Sequence, residues 1–95
     1  MFNTVKIIST KGCKQSLNNT IPRVIMLEYT NSLTESAKNH KGFVTSDSYW
    51  KNTLKFSYNI NIELITISEW NTMNDWNNWY RSKERYELYM QYFNI

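Results

Sequence analysis

The segment Ile60–Trp79 constrains the fold of this 95-residue chain more than any other part of the sequence. In its first half, β-branched and apolar residues alternate with polar ones, which predicts a β-strand at Ile60–Trp70. Asn71 or Thr72 then supplies a helix N-cap, and large apolar side chains recur at helical spacing as far as about Met90. The apolar residues of this predicted helix are Met73, Trp76, Trp79, Tyr80, Tyr86, Met90 and Phe93.

The first strand is predicted at Thr4–Thr10, where β-branched and apolar residues suit a buried position. We expect Lys11-Gly12 to end this strand and the polar residues 13–19 to form a loop. Cys13 lies in this predicted loop and is the single cysteine of the chain, so no intrachain disulfide can form. We interpret it as an incidental thiol.

A first helix is predicted at about residues 21–39, with Asn19 or Thr20 as its N-cap and Pro22 in its first turn. Apolar residues at spacings of three and four give this helix one apolar side. Gly42 suits the position just past a helix C-terminus.

Residues Phe43–Trp50 are rich in strand formers and predict a second strand, which pairs with Ile60–Trp70 as a hairpin. Residues Lys51–Asn59 are predicted to form the hairpin loop, with some additional strand at Leu54–Tyr58. The resulting order is β-α-β-β-α, the ferredoxin-like split βαβ pattern of a single α+β domain. A fourth strand is short or missing, since only Gln91–Ile95 remains for it.

The large number of aromatic side chains bears on partners and ligands. Four Trp and seven Tyr residues exceed what one thin core of this size can bury, so some of them are expected to line a pocket or a subunit interface. The predicted second helix also has apolar residues on two sides, which favours a homodimer.

The net charge of +3 is mild, and the chain has neither a long run of like charges nor a nucleic-acid motif, so we expect no nucleic-acid partner. The sequence has no apolar run of about 18 residues and no signal-peptide core, which predicts a cytoplasmic protein without a membrane partner. It has no metal-ligand cluster or nucleotide loop, so no metal or other cofactor is expected.

One region of the chain carries a resemblance to a known family. The residues Ile67–Trp70, followed by a capped helix with Trp76 and Trp79, resemble the strand end and second helix of the antibiotic biosynthesis monooxygenase domain. The polar segment Arg81–Arg85 and the turn Gly42-Phe43 are also similar to that family. The resemblance implies a homodimer of the dimeric αβ-barrel type, with a pocket between the sheet and helices of each protomer.

The resemblance also implies an activity, the cofactor-independent oxidation of a small phenol or quinol. Such a reaction needs a dry pocket with aromatic walls and a donor that stabilises the substrate anion. Trp79 is the candidate catalytic residue. The candidate substrate-binding residues are Tyr49, Trp50, Trp76, Arg81 and Tyr89.

The haem-degrading branch of the family uses an Asn, a Trp and an axial His. Trp79 corresponds to that Trp, but the Asn position falls on Val5 and the His position falls near Tyr89. A phenolate can ligate haem iron, yet His40, at the far end of the first helix, does not replace the missing ligand, and no haem turnover is expected. Two alternatives remain: a non-catalytic domain that binds a small molecule or haem, and a structural or interaction domain whose aromatic face serves only dimerisation. Trp76 and Trp79, at helical spacing, are also typical of core residues.

Overall fold

A computed structural model describes residues 3–16, 21–56 and 59–93. Within these ranges, three antiparallel strands and three helices form a small α+β fold, consistent with a ferredoxin-like fold. The α+β class and the three strands are as predicted, and there is one helix more than predicted. None of the helices in these ranges is long and apolar enough to cross a membrane. The elements are β1 (Val5–Ser16), α1 (Ile21–Ala37), β2 (Phe43–Phe56), β3 (Asn59–Trp70), α2 (Met73–Tyr80) and α3 (Lys83–Phe93).

The strand β3 lies in the centre of the sheet, whose order is β1-β3-β2. Both neighbours run antiparallel to β3, and Trp70 lies opposite Val5 on one side and Phe43 on the other. A register shift between Phe43 and Thr45 adds one residue to β2. Because of this extra residue, Phe43 and Ser46 lie on the same side of the sheet, the side that the helices cover.

Two predicted loops are strand instead. Lys11-Gly12 does not end β1, because Lys11 pairs with Leu64 and Gly12 with Glu63, and β1 continues to Ser16. In the same way β2 continues through Lys51 and Thr53 of the predicted hairpin loop to Phe56, which confirms the additional strand at Leu54–Tyr58 as far as Phe56. The rest of both loops, at residues 17–19 and 57–58, lies outside the described residues, as do the predicted caps Asn19 and Thr20.

The predicted second helix is divided into α2 and α3. Helix α2 ends at Tyr80, and the Arg81 amide donates to the Asn77 carbonyl oxygen at 3.0 Å. The Ser82 hydroxyl then accepts from the amide of Arg85 at 3.2 Å and caps α3. Helix α3 continues to Phe93, so residues 91–93 form no strand, in agreement with the prediction that the fourth strand is short or missing. Residues 94–95 lie outside the described ranges.

The core is centred on Trp70, which is 1% exposed and packs with Ala37 and Trp79. The ring of Phe43 meets the Trp70 indole edge-on, with centroids 5.4 Å apart. This junction of strand and helix is completed by Thr72, whose hydroxyl accepts from the Asp75 amide at 3.0 Å. Of the two predicted N-caps, Thr72 is the one that caps α2.

Candidate functional site

The helix-covered side of the sheet is partly polar. Along a strand every second side chain faces the same side, and in β1 this places Ser9 and Lys11 beside Ile7 under the helices. The corresponding residues of the neighbouring strands are also hydroxylic, namely Ser46, Thr66 and Ser68. A band of hydroxyl groups therefore crosses the sheet beneath the helices.

A cavity of about 130 Å³ lies over this band, and we call it the inner cavity. Its walls include the indoles of Trp76 and Trp79 from α2 and the side chain of Leu33 from α1. The side chain of Trp79 is 7% exposed, so it is both a core residue and a wall of the cavity. The helical spacing of Trp79 in the sequence predicted that it is a core residue, and the cavity shows that it is also a wall residue.

Thr30 lines the inner cavity from α1. Thr30 is 2% exposed, and its Oγ1 atom has no hydrogen-bond partner among the described residues. A buried hydroxyl without a partner costs about 1–3 kcal/mol. A polar ligand atom that reached this hydroxyl would remove that cost.

A second, wider depression of about 670 Å³ lies between α1, α3 and the middle of β1, and we call it the outer groove. Its lining is mainly apolar and aromatic, with Ile25 and Met26 from α1 and Tyr89 and Phe93 from α3. The rings of Tyr29 and Phe93 meet edge-on across it, with centroids 4.9 Å apart.

The inner cavity and the outer groove share four lining residues, which we call the junction: Ser9, Lys11, Tyr80 and Arg85. Burial, and secondarily the charge of nearby Arg85, lowers the pKa of Lys11 below its ordinary value. The Arg85 guanidinium lies 4.0 Å from the centroid of the Tyr80 ring and donates to the Tyr80 carbonyl oxygen at 3.4 Å.

The two cations of the junction have no carboxylate within salt-bridge distance among the described residues. The ion pairs of this part of the chain join Lys38 to Glu35, His40 to Glu84 and Lys83 to Glu87. Two positive groups therefore face one partly buried space without a counter-charge there, and an anionic ligand would relieve their repulsion.

The structure brings three of the six predicted site residues to these spaces. Trp76 and Trp79 line the inner cavity, and Tyr89 lines the outer groove. The others lie elsewhere: Tyr49 is on the uncovered face of the sheet opposite Ile65, Trp50 packs against the Arg23 guanidinium at 4.7 Å, and Arg81 is exposed at the C-cap of α2.

His40, which follows the first helix, lies beside Trp79. The two rings meet edge-on with centroids 5.0 Å apart, and Nε2 of His40 lies 3.8 Å from Oε2 of Glu84. Gly42 permits this contact, since its positive φ of 88° turns the chain just after α1. His40 does not line the inner cavity, so it supports Trp79 from the other side.

The residues do not fit the haem site of the related branch. That site needs the Trp and the axial ligand on one surface, whereas Trp79 lines only the inner cavity and Tyr89 only the outer groove. Val5 lines neither space. In the described part of the chain there is also no group of three or more His, Cys, Asp or Glu residues that could hold a metal ion.

Sequence reasoning missed the polar residues of the site, above all Lys11, Thr30 and Arg85. The signal for Lys11 was present, because it continues the alternation of Ile7 and Ser9 once β1 is extended through Gly12. Thr30 lies four residues after Met26 on the buried side of α1, which indicates an interior hydroxyl. No signal of this kind identifies Arg85, whose position depends on the break between α2 and α3.

Comparison with known proteins does not identify this chain, since no protein-family model and no curated protein matches it significantly.

Proposed function

We propose that the inner cavity binds the ring of a small phenol or quinol and that the protein oxidises it with O₂ without a cofactor, as in an antibiotic biosynthesis monooxygenase domain. The observation that carries the proposal is the combination of indole walls with an unpartnered Thr30 hydroxyl and two cations, Lys11 and Arg85, at the junction. The strand order β1-β3-β2, with α1 connecting β1 to β2, supports the split βαβ part of the family assignment.

The volume of the inner cavity limits the ligand to a single ring. Apolar cavities of about 150 Å³ hold benzene, and the inner cavity measures about 130 Å³. A monocyclic substrate is therefore favoured over the polycyclic phenols that some members of the resembled family oxidise.

Lys11 and Arg85 are the groups suited to stabilising the substrate anion. No Asp, Glu or His of the described residues lines the inner cavity, so the anion would meet two cations and no carboxylate there. The Lys11 ammonium and the Arg85 guanidinium favour the ionised form of the phenol, whose proton passes to solvent, and stabilise the anion. Trp76 and Trp79 enclose the ring and exclude water.

The oxidation balances without an external reductant. The quinol anion transfers electrons to O₂, and one oxygen atom forms a bond to a ring carbon. The other oxygen atom leaves as water and carries away the two hydrogens that the quinol loses. The product is a hydroxyquinone, so each substrate molecule consumes one O₂.

In the alternative of a non-catalytic binding domain, the same cavity holds the ligand. The polar lining of Ser46, Thr66 and Ser68 favours this alternative as much as it favours the oxygenase. Binding without O₂ consumption would identify it. The haem-binding alternative is tested by titrating the protein with haemin and recording the Soret band, for which we expect no shift at micromolar protein.

We also propose that the protein is a homodimer formed through the uncovered face of the sheet. Ile8 on this face is 69% exposed, and Tyr49 is exposed beside the half-buried Ile65 and Ile67. Charged residues of both signs lie around this apolar centre, and a two-fold interface requires such self-complementarity. These charged residues are Lys6, Lys51, Asp47, Glu63 and Glu69.

The decisive experiment measures O₂ consumption with a panel of monocyclic quinols. We expect consumption above the non-enzymatic rate, a loss of at least tenfold in Lys11→Met, and a marked loss in Trp79→Phe. Lys41→Met is the matched control, since Lys41 is exposed in the turn between α1 and β2. A rate that is equal in the Lys11→Met variant and the parent protein would contradict the proposed chemistry.

A further inference from the structure

We infer that the outer groove is the second half of the same binding site and that the ligand is a single-ring aromatic anion with an aliphatic substituent next to its anionic group. The inference rests on the proposed function for the position of the ring. It adds the class of ligand: the ring lies in the inner cavity, the anion at the junction and the aliphatic chain in the outer groove.

The two spaces adjoin each other at the junction. Ser9, Lys11, Tyr80 and Arg85 line both of them, so a ligand that leaves the inner cavity past these four residues enters the outer groove directly. The inner cavity accepts no more than a ring, whereas the groove, at about 670 Å³, has a volume typical of small-molecule sites. A ligand larger than one ring therefore extends into the groove.

The chemistry of the groove indicates an aliphatic substituent. Pro22, Ile25, Met26 and Phe93 give it apolar walls, and Ile25 is 36% exposed. Covering such surface with methylene groups removes apolar area from water, which stabilises the complex by about fourfold in Kd for each methylene that is fully buried.

The position of the cations determines where the anionic group lies on the ligand. Lys11 and Arg85 occupy the junction, between the two spaces. A ring in the inner cavity directs both its anionic group and its chain toward the junction only if the two substituents are neighbours on the ring. An ortho-substituted ligand satisfies both halves of the site, and a para-substituted one does not.

The test uses non-oxidisable benzoates, so that binding is measured without turnover. Isothermal titration calorimetry with 2-methyl-, 2-butyl- and 2-hexylbenzoate should show Kd falling two- to fourfold per added methylene until the groove is filled. We expect 4-hexylbenzoate and uncharged 2-hexylbenzyl alcohol each to bind at least tenfold more weakly than 2-hexylbenzoate.

Two variants on α1 localise the effect. Ile25→Asn should reduce the dependence of Kd on chain length. Val24→Asn is the control, because Val24 is the exposed neighbour of Ile25 and does not line the groove.

The outcomes separate this inference from the proposed function. If 2-methylbenzoate binds and chain length has no effect, the bipartite site is overturned and the ring site stands. If 4-hexylbenzoate binds as tightly as the 2-isomer, the assigned position of the anion is overturned. If none of the benzoates binds, both the inference and the proposed ring site fail.

Discussion

The backbone of Gly42 lies directly against the side chain of Asp75, so that a methyl group on residue 42 would overlap the carboxylate and Cβ of Asp75. Gly42 also has a positive φ of 88°, and its carbonyl oxygen accepts from the Asn71 amide at 2.7 Å. The turn after α1 is thereby held against the start of α2, the helix that carries Trp79.

Gly42→Ala is therefore expected to destabilise the protein. The left-handed conformation alone costs a non-glycine residue about 1–2 kcal/mol, and the overlap with the buried Asp75 adds to it. We expect urea denaturation to show a loss of at least about 2 kcal/mol in the free energy of unfolding.

Gly12→Ala is the matched control for that experiment. A Cβ atom at residue 12 would meet Cγ of Glu63 at 3.7 Å and the carbonyl oxygen of Ile62 at 3.9 Å, which is ordinary contact. The free energy of unfolding should change by no more than about 0.5 kcal/mol. Equal losses in the two variants would show that the contact with Asp75 has no special role.

Thr30→Val should affect stability and binding in opposite directions. Valine nearly preserves the shape of threonine and removes the buried, unpartnered hydroxyl, so the free energy of unfolding should rise by roughly 1 kcal/mol. The binding of 2-methylbenzoate should weaken, because the hydroxyl is then lost as a partner. Thr34→Val, which changes a less buried hydroxyl of the same cavity, is the comparison. A loss of stability in Thr30→Val would show that Thr30 has a partner in the folded protein.

Lys11 should make the stability of the protein depend on pH. Because its pKa is lowered in the folded state, the unfolded chain binds more protons in the window below 10.5, and the free energy of unfolding rises with pH there. Tyr29 acts in the opposite sense above 10.0, since burial raises its pKa and the unfolded chain loses that proton first. Arg85, Tyr80 and Tyr89 are the other titratable groups around these two residues.

The measurement for Lys11 is the difference in unfolding free energy between the parent protein and Lys11→Met, from about pH 7 to about pH 10. The parent protein should gain unfolding free energy relative to Lys11→Met as the pH rises. The same difference for Lys41→Met should stay flat. A flat profile for both variants would mean that Lys11 is fully solvated.

Ile8→Lys tests the proposed homodimer. A charge at this exposed position of the uncovered sheet face would be buried without a partner in a dimer and harmless in a monomer. Sedimentation equilibrium should show the parent protein as a dimer and the variant as a monomer, with unchanged circular dichroism. Val24→Lys, an exposed change on α1, should remain dimeric. A parent protein that is monomeric at all concentrations would refute the interface.

The sequence predicted the parts of the fold that depend on neighbouring residues. Thr72 and Trp70 were identified because a cap and a strand end are local features. The predicted end of β1 was wrong, because Gly12, a residue typical of turns, is held in the strand by its pairing with Glu63 of β3. Lys11 and Arg85, which are far apart in the chain, lie at one site only through the packing of α1 against both β1 and α3.

The break between α2 and α3 divides the site between two helices. Trp79, a wall of the inner cavity, is on α2, and Arg85, a cation of the junction, is on α3. If the proposed complex forms, substitutions along α2 should change which ring is accepted while the preference for an anion is retained, and substitutions along α3 should do the reverse. The proposed site would then have its shape and its charge under the control of two different helices.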